Sequence, residues 1–391
     1  MRRLILDKNC ALKELKRFKL DLMAYNIFLK KLDYHIIKID NLSSAQANIF
    51  KQIALLSGAD LAIPKNVYEC RKNGRFSTLL FANPREIDKI IDRLKKQPLL
   101  KNVSQQLSKV IKQPYKVTLR ILNKNIKLNH TLIMGVINIT PDSFYPGSRF
   151  TDITAIEKTV DDMAQSGADF IDIGAESTRP GAQSIDEKEE IKRLKKVLPS
   201  IVKRVKVPVS VDTYKARIAE FALGEGVGLI NDISGLRFDK KMARVIAKYK
   251  AGVVIMHIKG TPRTMQINPY YDNLMDEIYN YLRKRIDFAV QSGIEPERII
   301  IDPGLGFGKR LEDNYEIIRR LKEFKILNRP ILVGHSRKSF IGKPFNLPVD
   351  QRLEGTLGLE ALLIKNGADI LRVHDVRAAK KVALLIDRII K

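Results

Sequence analysis

The chain has 391 residues, 45% of them hydrophobic, and 70 Lys/Arg against 44 Asp/Glu give it a net charge of +26. No apolar run reaches the ~20 residues of a bilayer-spanning helix, and the two arginines in Met1–Leu6 lead into no extended apolar core, so neither a membrane span nor a secretory signal is expected. Only Cys10 and Cys70 occur, which argues against a disulfide framework or a cysteine-ligated metal and fits a reducing cytoplasm.

Residues 1–125 are the more basic part, with 26 Lys/Arg against 10 Asp/Glu. A helical pattern over Leu12–Lys31 precedes a strand at His35–Ile39 and a helix over Ser43–Leu56 that starts at a serine cap. A second strand, Ser77–Phe81, is followed by a helix opened by a proline, Pro84–Leu94. This order predicts a small α+β domain. Lys101–Asn129 is basic and weakly periodic and reads as a connection, giving domains at 1–125 and 126–391. The basic residues are scattered and few aromatics interleave with them, so a base-stacking nucleic-acid groove is not expected. Asp60, Glu69 and Cys70 read as surface residues. Residues 1–125 hold no recognisable catalytic constellation, and docking is the default role.

The remainder contains eight short apolar runs: Thr131–Asn138, Phe170–Glu176, Val207–Thr213, Leu229–Gly235, Gly252–His257, Ile299–Pro303, Pro330–Ser336 and Ile370–Asp375. Stretches with helical spacing, such as Ile191–Val205 and Met275–Gln291, lie between them. Strands alternating with helices imply parallel pairing and right-handed crossovers. Eight units predict an α/β fold, a (β/α)8 TIM barrel, whose chemistry belongs at the C-terminal ends of its strands.

Polar residues gather at those ends. Asn138 runs into Thr140–Phe144, where Pro141, Asp142 and Ser143 favour a turn over the barrel mouth. The second run leads into Ser177-Thr178-Arg179-Pro180-Gly181, in which hydroxyls and a guanidinium suit an anion. Asp212 and Asn231 offer a carboxylate and an amide able to read the edge of a heterocycle, with helix capping as the competing use. Asp302 precedes Gly304, Gly306 and Gly308, which permit close backbone approach, and Phe307 offers an aromatic face. Ser336–Ser339, with Arg337 and Lys338, would make an anion site if they open a helix. Arg372 and His374 stand two positions apart on the last strand and should share a face; if that face is the barrel interior, they need a ligand or mutual pairing. His257, His335 and His374 have no metal-binding spacing, so a zinc site is not expected.

As a set these motifs resemble the dihydropteroate synthases over roughly residues 131–391. The matching strings are Met134–Phe144, Asp172–Ala182, Val211–Thr213, Asn231–Gly235, Met256–Pro262, Asp302–Lys309, Ser336–Phe340, Arg352–Gly355 and Arg372–Val376. The resemblance implies condensation of 6-hydroxymethyl-7,8-dihydropterin pyrophosphate with 4-aminobenzoate, giving 7,8-dihydropteroate and pyrophosphate in folate biosynthesis. It also implies Mg²⁺, a homodimer and sulfonamide as inhibitor. By motif position, Asp212, Asn231, Asp302 and Lys338 would hold the pterin. Asn138, Arg372 and His374 would hold pyrophosphate, with Asn138 at the magnesium. Asp142 would stabilise a cationic pterin methylene, while Thr178, Arg179, Pro180, Phe307 and Ser339 would serve the aminobenzoate.

The chain departs from that pattern at Tyr145-Pro146-Gly147, at His335, and in its long N-terminal region. Two rivals stand beside the synthase. One is a methyltetrahydrofolate–corrinoid methyltransferase-like pterin binder, which has no use for the Arg179 string. The other is a basic nucleic-acid-binding protein on an inactive barrel.

Overall fold

The computed structural model describes residues 11, 15–16, 28, 30–31, 33–69, 74–112, 117–139, 153–177 and 181–390. It divides into two compact units, Met1–Pro114 and Tyr115–Lys391.

The first unit carries an antiparallel sheet of β1 (His35–Leu42), β2 (Asp60–Ala62) and β3 (Phe76–Ala82), with β3 in the middle. Its described residues also form helices α1 (Ser44–Leu56), α2 (Pro84–Lys95) and α3 (Lys101–Lys112). Ser43 caps α1 in a capping box with Gln46, and Asn83 does the same for α2 with Glu86. Pro84 at the first helical position costs no hydrogen bond, because that amide has no partner within the helix. Phe50, Leu80, Ile87, Ile90 and Leu94 make the core, each 0% exposed. Sequence periodicity missed α3, whose Leu107 is buried and whose Ser104 hydroxyl donates to the Ile91 carbonyl at 3.0 Å. The helix expected over 12–31 and Cys70 fall largely outside the described residues. Asp60 is exposed.

The second unit begins before the expected boundary, with a hairpin of β4 (Leu119–Ile121) and β5 (Lys124–Ile126). Leu119 and Ile121 are fully buried against Leu132, Phe170, Leu229, Ile300, Leu332 and Ile370, which lie at the starts of barrel strands. The hairpin therefore closes the N-terminal end of the barrel, a tertiary role that a short basic stretch does not announce.

Eight parallel strands follow: β6 (Leu132–Asn138), β7 (Phe170–Gly174), β8 (Val209–Asp212), β9 (Leu229–Asp232), β10 (Gly252–Met256), β11 (Ile299–Asp302), β12 (Leu332–Gly334) and β13 (Ile370–Val373). They pair in the order β11-β10-β9-β8-β7-β6-β13-β12. A parallel bridge between Ile301 and Ile331 closes the ring. The principal outer helices are α4 (Ile153–Gln165), α5 (Glu187–Arg204), α6 (Ala216–Gly224), α7 (Met242–Lys248), α8 (Leu274–Gln291), α9 (Leu311–Arg319), α11 (Leu353–Lys365) and α12 (Val376–Ile390), with a four-residue α10 (Ser339–Gly342) between β12 and α11.

Most strands stop before the end of their apolar run because the polar residues leave the ladder for turns. Asp232 shows how: its carboxylate accepts from the amides of Ser234 (2.7 Å) and Leu236 (2.9 Å), bending the chain out of β9. Among the described residues no helix is long and apolar enough to cross a membrane.

Candidate active site

Barrel geometry sends alternate residues of each strand inward, so a charge at such a position must find a partner. Arg372 on β13 does so. Its guanidinium donates from Nε to Asp172 Oδ2 on β7 at 2.7 Å and from Nη2 to Asp212 Oδ2 on β8 at 2.8 Å. The Asn231 amide on β9 reaches the same Asp172 oxygen at 3.4 Å. Asp172, Asp212 and Asn231 are 0%, 6% and 3% exposed.

Arg372 occupies one oxygen of each carboxylate. The other two, Asp172 Oδ1 and Asp212 Oδ1, are buried with no hydrogen-bond partner among the described residues. Burial pushes the Asp212 carboxyl up to about 7, against the pull of Arg372. Two unsatisfied acceptors beside an amide form a surface suited to a flat ligand rich in N–H donors.

Asp302 ends β11, and its Oδ1 accepts from the Gly304 amide at 2.7 Å. Burial raises its carboxyl, with Lys338 opposing. The following loop is packed against the exit of β10. Gly304 has φ +71°, and a Cβ there would sit 2.0 Å from the His257 carbonyl oxygen; at Gly308 it would sit 2.4 Å from that of Lys259. Buried Lys309 fastens the loop, donating to the Phe307 carbonyl at 3.0 Å and lying 3.0 Å from His257 Nδ1. Burial brings the Lys309 ammonium down to about 7 and holds His257 well below its ordinary value, so the imidazole is neutral and can accept.

The loop in turn positions Lys338, whose ammonium donates to the Leu305 carbonyl at 2.6 Å and lies 4.5 Å from the centre of the Phe307 ring. Burial lowers Lys338 to about 8. Gly304→Ala is expected to cost about 3 kcal/mol or more, because backbone rather than a flexible side chain must move. The same shift would displace Phe307 and Lys338, so activity should fall with it; thermal melting and steady-state rates check both.

The β12 exit differs from expectation. Ser336–Ser339 do not open a long helix; only the four residues of α10 follow. Arg337, at φ +54°, is committed elsewhere: its Nε donates to Asp375 at 2.8 Å and its Nη1 to the Asp350 carbonyl at 3.0 Å. It is not a cation waiting for an anion. Ser339 is exposed. His335 is 0% exposed beside buried Glu360, with Nε2 3.4 Å from Oε1. It therefore packs beneath the site.

Arg372 and His374 also part company. His374 Nδ1 lies 3.0 Å from the Ser336 hydroxyl, and His374 lines a cavity of about 590 Å³ with Thr159, Ser166, Arg377 and Lys381. Arg372 is not among that cavity's lining residues.

Asn138 ends β6, opposite Gly174 in the parallel ladder. Asp142, Thr178, Arg179 and Pro180 lie outside the described residues. No group of three or more His, Cys, Asp or Glu able to hold a metal occurs among the described residues. The sequence reading missed Asp172 and Lys309 as site residues. Asp172 carried a usable signal, since a carboxylate inside an apolar barrel strand demands a cationic partner.

The pterin binding enzyme family matches residues 134–374. The dihydropteroate synthase of Clostridium beijerinckii is 45% identical over 262 residues, 67% of this chain and 95% of its own length. The bifunctional dihydropteroate synthase/dihydropteroate reductase of Helicobacter pylori is 36% identical over 346 residues, 87% of this chain and 86% of its own. Among solved structures, Yersinia pestis dihydropteroate synthase in complex with a sulfonamide drug covers 70% of this chain and 99% of its own, with TM-score 0.68 and 36% identity. The Xanthomonas albilineans enzyme with 4-aminobenzoic acid covers 70% and 97%, with TM-score 0.64 and 35% identity.

Proposed function

The chain belongs to the pterin binding enzymes, among the dihydropteroate synthases, and we propose that its barrel mouth divides that reaction among three groups of side chains. The reaction joins 6-hydroxymethyl-7,8-dihydropterin pyrophosphate to 4-aminobenzoate, releasing pyrophosphate. The observation carrying the proposal is the buried Asp172–Arg372–Asp212–Asn231 cluster with two unpaired carboxylate oxygens.

The first group holds the pterin. Asp212, Asn231 and Asp302 pair with its ring N–H groups and amino group, and Lys338 donates to its acceptors. The second group holds pyrophosphate. Arg372, His374 and Asn138 are assigned to the negative charge that develops as the C–O bond to pyrophosphate breaks, Arg372 from the Asp172–Asp212 cluster and His374 from the separate cavity that it lines. The Asn138 amide supplies a hard oxygen that suits Mg²⁺, which typically takes one or two protein ligands and fills its shell with phosphate oxygens and water. When bound, the ion neutralises charge on the departing pyrophosphate. The third group faces the aromatic amine. Thr178, Arg179, Pro180, Phe307 and Ser339 hold 4-aminobenzoate, and Asp142 stabilises the pterin methylene as it becomes cationic. The amine then attacks without needing a strong protein base. A sulfonamide competes for this third position.

Two further readings have their own support. Leu362 on α11 and Leu384, Leu385 and Ile389 on α12 are exposed at 43%, 55%, 60% and 68%, an apolar face that a second copy would cover in a homodimer. The match to the bifunctional relative, 87% of this chain, is more than Tyr115–Lys391 alone can supply, so it extends into the first unit. We propose on that support that this unit takes part in a second step, reduction of dihydropteroate, which the full chain should carry out when given dihydropteroate and a hydride donor.

The division of labour is tested by titrating the protein with the pterin pyrophosphate and with the same pterin lacking pyrophosphate. Asp302→Asn should weaken both ligands by about tenfold or more. His374→Ala should weaken only the pyrophosphate. Equal losses in His374→Ala would contradict its role.

A further inference from the structure

The loop joining β7 to α5 leaves the barrel at Glu176 and returns at Ile185. Both points meet one side chain from the neighbouring strand exit, Lys215. Its ammonium donates to the Ile185 carbonyl at 2.7 Å and to Glu190 Oε2 at 2.7 Å, and lies 3.0 Å from Glu176 Oε2. Two of these are hydrogen bonds and the third, to Glu176, is an ion-pair contact. The carboxylates complete the circuit. Glu176 Oε1 accepts from the Ile185 amide at 3.0 Å and from the Tyr214 hydroxyl at 3.0 Å. Glu190 Oε1 accepts from the Thr213 hydroxyl at 3.1 Å. Glu176, Glu190 and Lys215 are 4%, 0% and 13% exposed at their side chains.

This network uses none of the groups assigned to the pterin or to pyrophosphate. Simple stability is a poor reason for burying two carboxylates around one lysine, since the cost of removing them from water is large. What the arrangement fixes is geometry, because both ends of one loop are tied to the segment Thr213–Lys215 that leaves β8 directly after Asp212. Tyr214 extends the link, packing edge-on against Phe238 with ring centres 5.5 Å apart, within the apolar cluster that includes Phe307.

We propose that Lys215, through Glu176 and Glu190, is a positioning residue for 4-aminobenzoate: it clamps the two ends of the loop that carries Thr178 and Arg179. The inference rests on the reading that this loop serves the aminobenzoate. Lys215 touches no substrate in this scheme and acts only by holding the loop's ends.

Removing Lys215 alone leaves two buried carboxylates unpaired and endangers folding, so the informative variant is Lys215→Met with Glu190→Gln, alongside the isosteric Glu176→Gln. Each is read by the KM for 4-aminobenzoate, by kcat, and by the direct dissociation constant of the pterin pyrophosphate. The expected result is an aminobenzoate KM raised about tenfold or more in the double variant and by a smaller factor in Glu176→Gln, with pterin affinity within about twofold of the parent. A merely structural role would lower pterin affinity in parallel, and that outcome overturns the proposal. An unchanged aminobenzoate KM in a folded variant overturns it as well. Arg179→Ala separates the two layers of the argument. A raised KM there with an unchanged KM in the double variant removes the clamp alone, whereas an unchanged KM in both removes the loop's role too.

Discussion

Replacing Arg372 by alanine should lower kcat/KM by about a thousandfold or more and destabilise the fold by about 3–5 kcal/mol. The two effects share one cause. Arg372 stands between Asp172 and Asp212, so its loss leaves two buried carboxylates facing each other and, in the proposed division of roles, removes a cation from the developing negative charge. Lysine should not restore function, because one ammonium cannot reproduce the fork that reaches both carboxylates. The loss of stability should also depend on pH. Burial already raises Asp212 from 3.8 to about 7, so the folded state holds a proton that the unfolded state releases. That group's contribution is fully present below about pH 4 and fades as pH rises toward 7. Without Arg372 the carboxyl rises further, so the gap between variant and parent should be wider at pH 8 than at pH 5. Denaturant melts at the two values measure this. Adding Asp172→Asn should recover stability without recovering activity, which separates the structural loss from the catalytic one.

Lys338→Met should give the opposite combination. The ammonium is lowered from 10.5 to about 8 by burial, so its charge is held at a cost to folding. Removing it relieves that cost but also takes the counter-charge from buried Asp302, so the melting temperature should change little, while pterin affinity falls about ten- to a hundredfold through loss of a charge-assisted hydrogen bond. The same values shape the pH profile. Binding through Asp212 needs its carboxylate, which forms as pH rises through about 7, and binding through Lys338 needs its ammonium, which is lost above about 8. kcat/KM for the pterin pyrophosphate should therefore be bell-shaped with a narrow summit between those values. Lys338→Met should lose the alkaline limb and keep the acid one. Retention of both limbs in the variant would assign the alkaline one to another group, with Lys309 the first to examine, since it too falls to about 7.

The barrel was legible because its strands are short, fully buried and separated by helical spacing, so each run stands out from its flanks. Asp212, Asn231, Asp302 and Arg372 could be placed at strand ends from the sequence, while their roles and that of Lys338 came from the resemblance to the dihydropteroate synthases. Other features depend on tertiary context. The Leu119–Ile126 hairpin is too short to show periodicity, and only the open end of the barrel gives its two apolar residues a place to go. α3 carries its apolar residues among lysines and glutamines, which hid it in a basic stretch. Arg337 looked like an anion ligand until Asp375, 38 residues away, proved to hold it. Lys215 was hidden for the same reason, since its partners Glu176, Ile185 and Glu190 come from another loop and helix, whereas Asp172 could have been read as a carboxylate inside an apolar strand.

The most direct test of the central claim is dihydropteroate formation by the purified full-length chain. Pterin pyrophosphate, 4-aminobenzoate and Mg²⁺ are supplied together and then each in turn left out, with Arg372→Ala run in parallel. The account predicts product that requires both organic substrates, falls when Mg²⁺ is chelated, and drops by about a thousandfold in the variant. Absence of product from a folded protein that still binds the pterin pyrophosphate would contradict it.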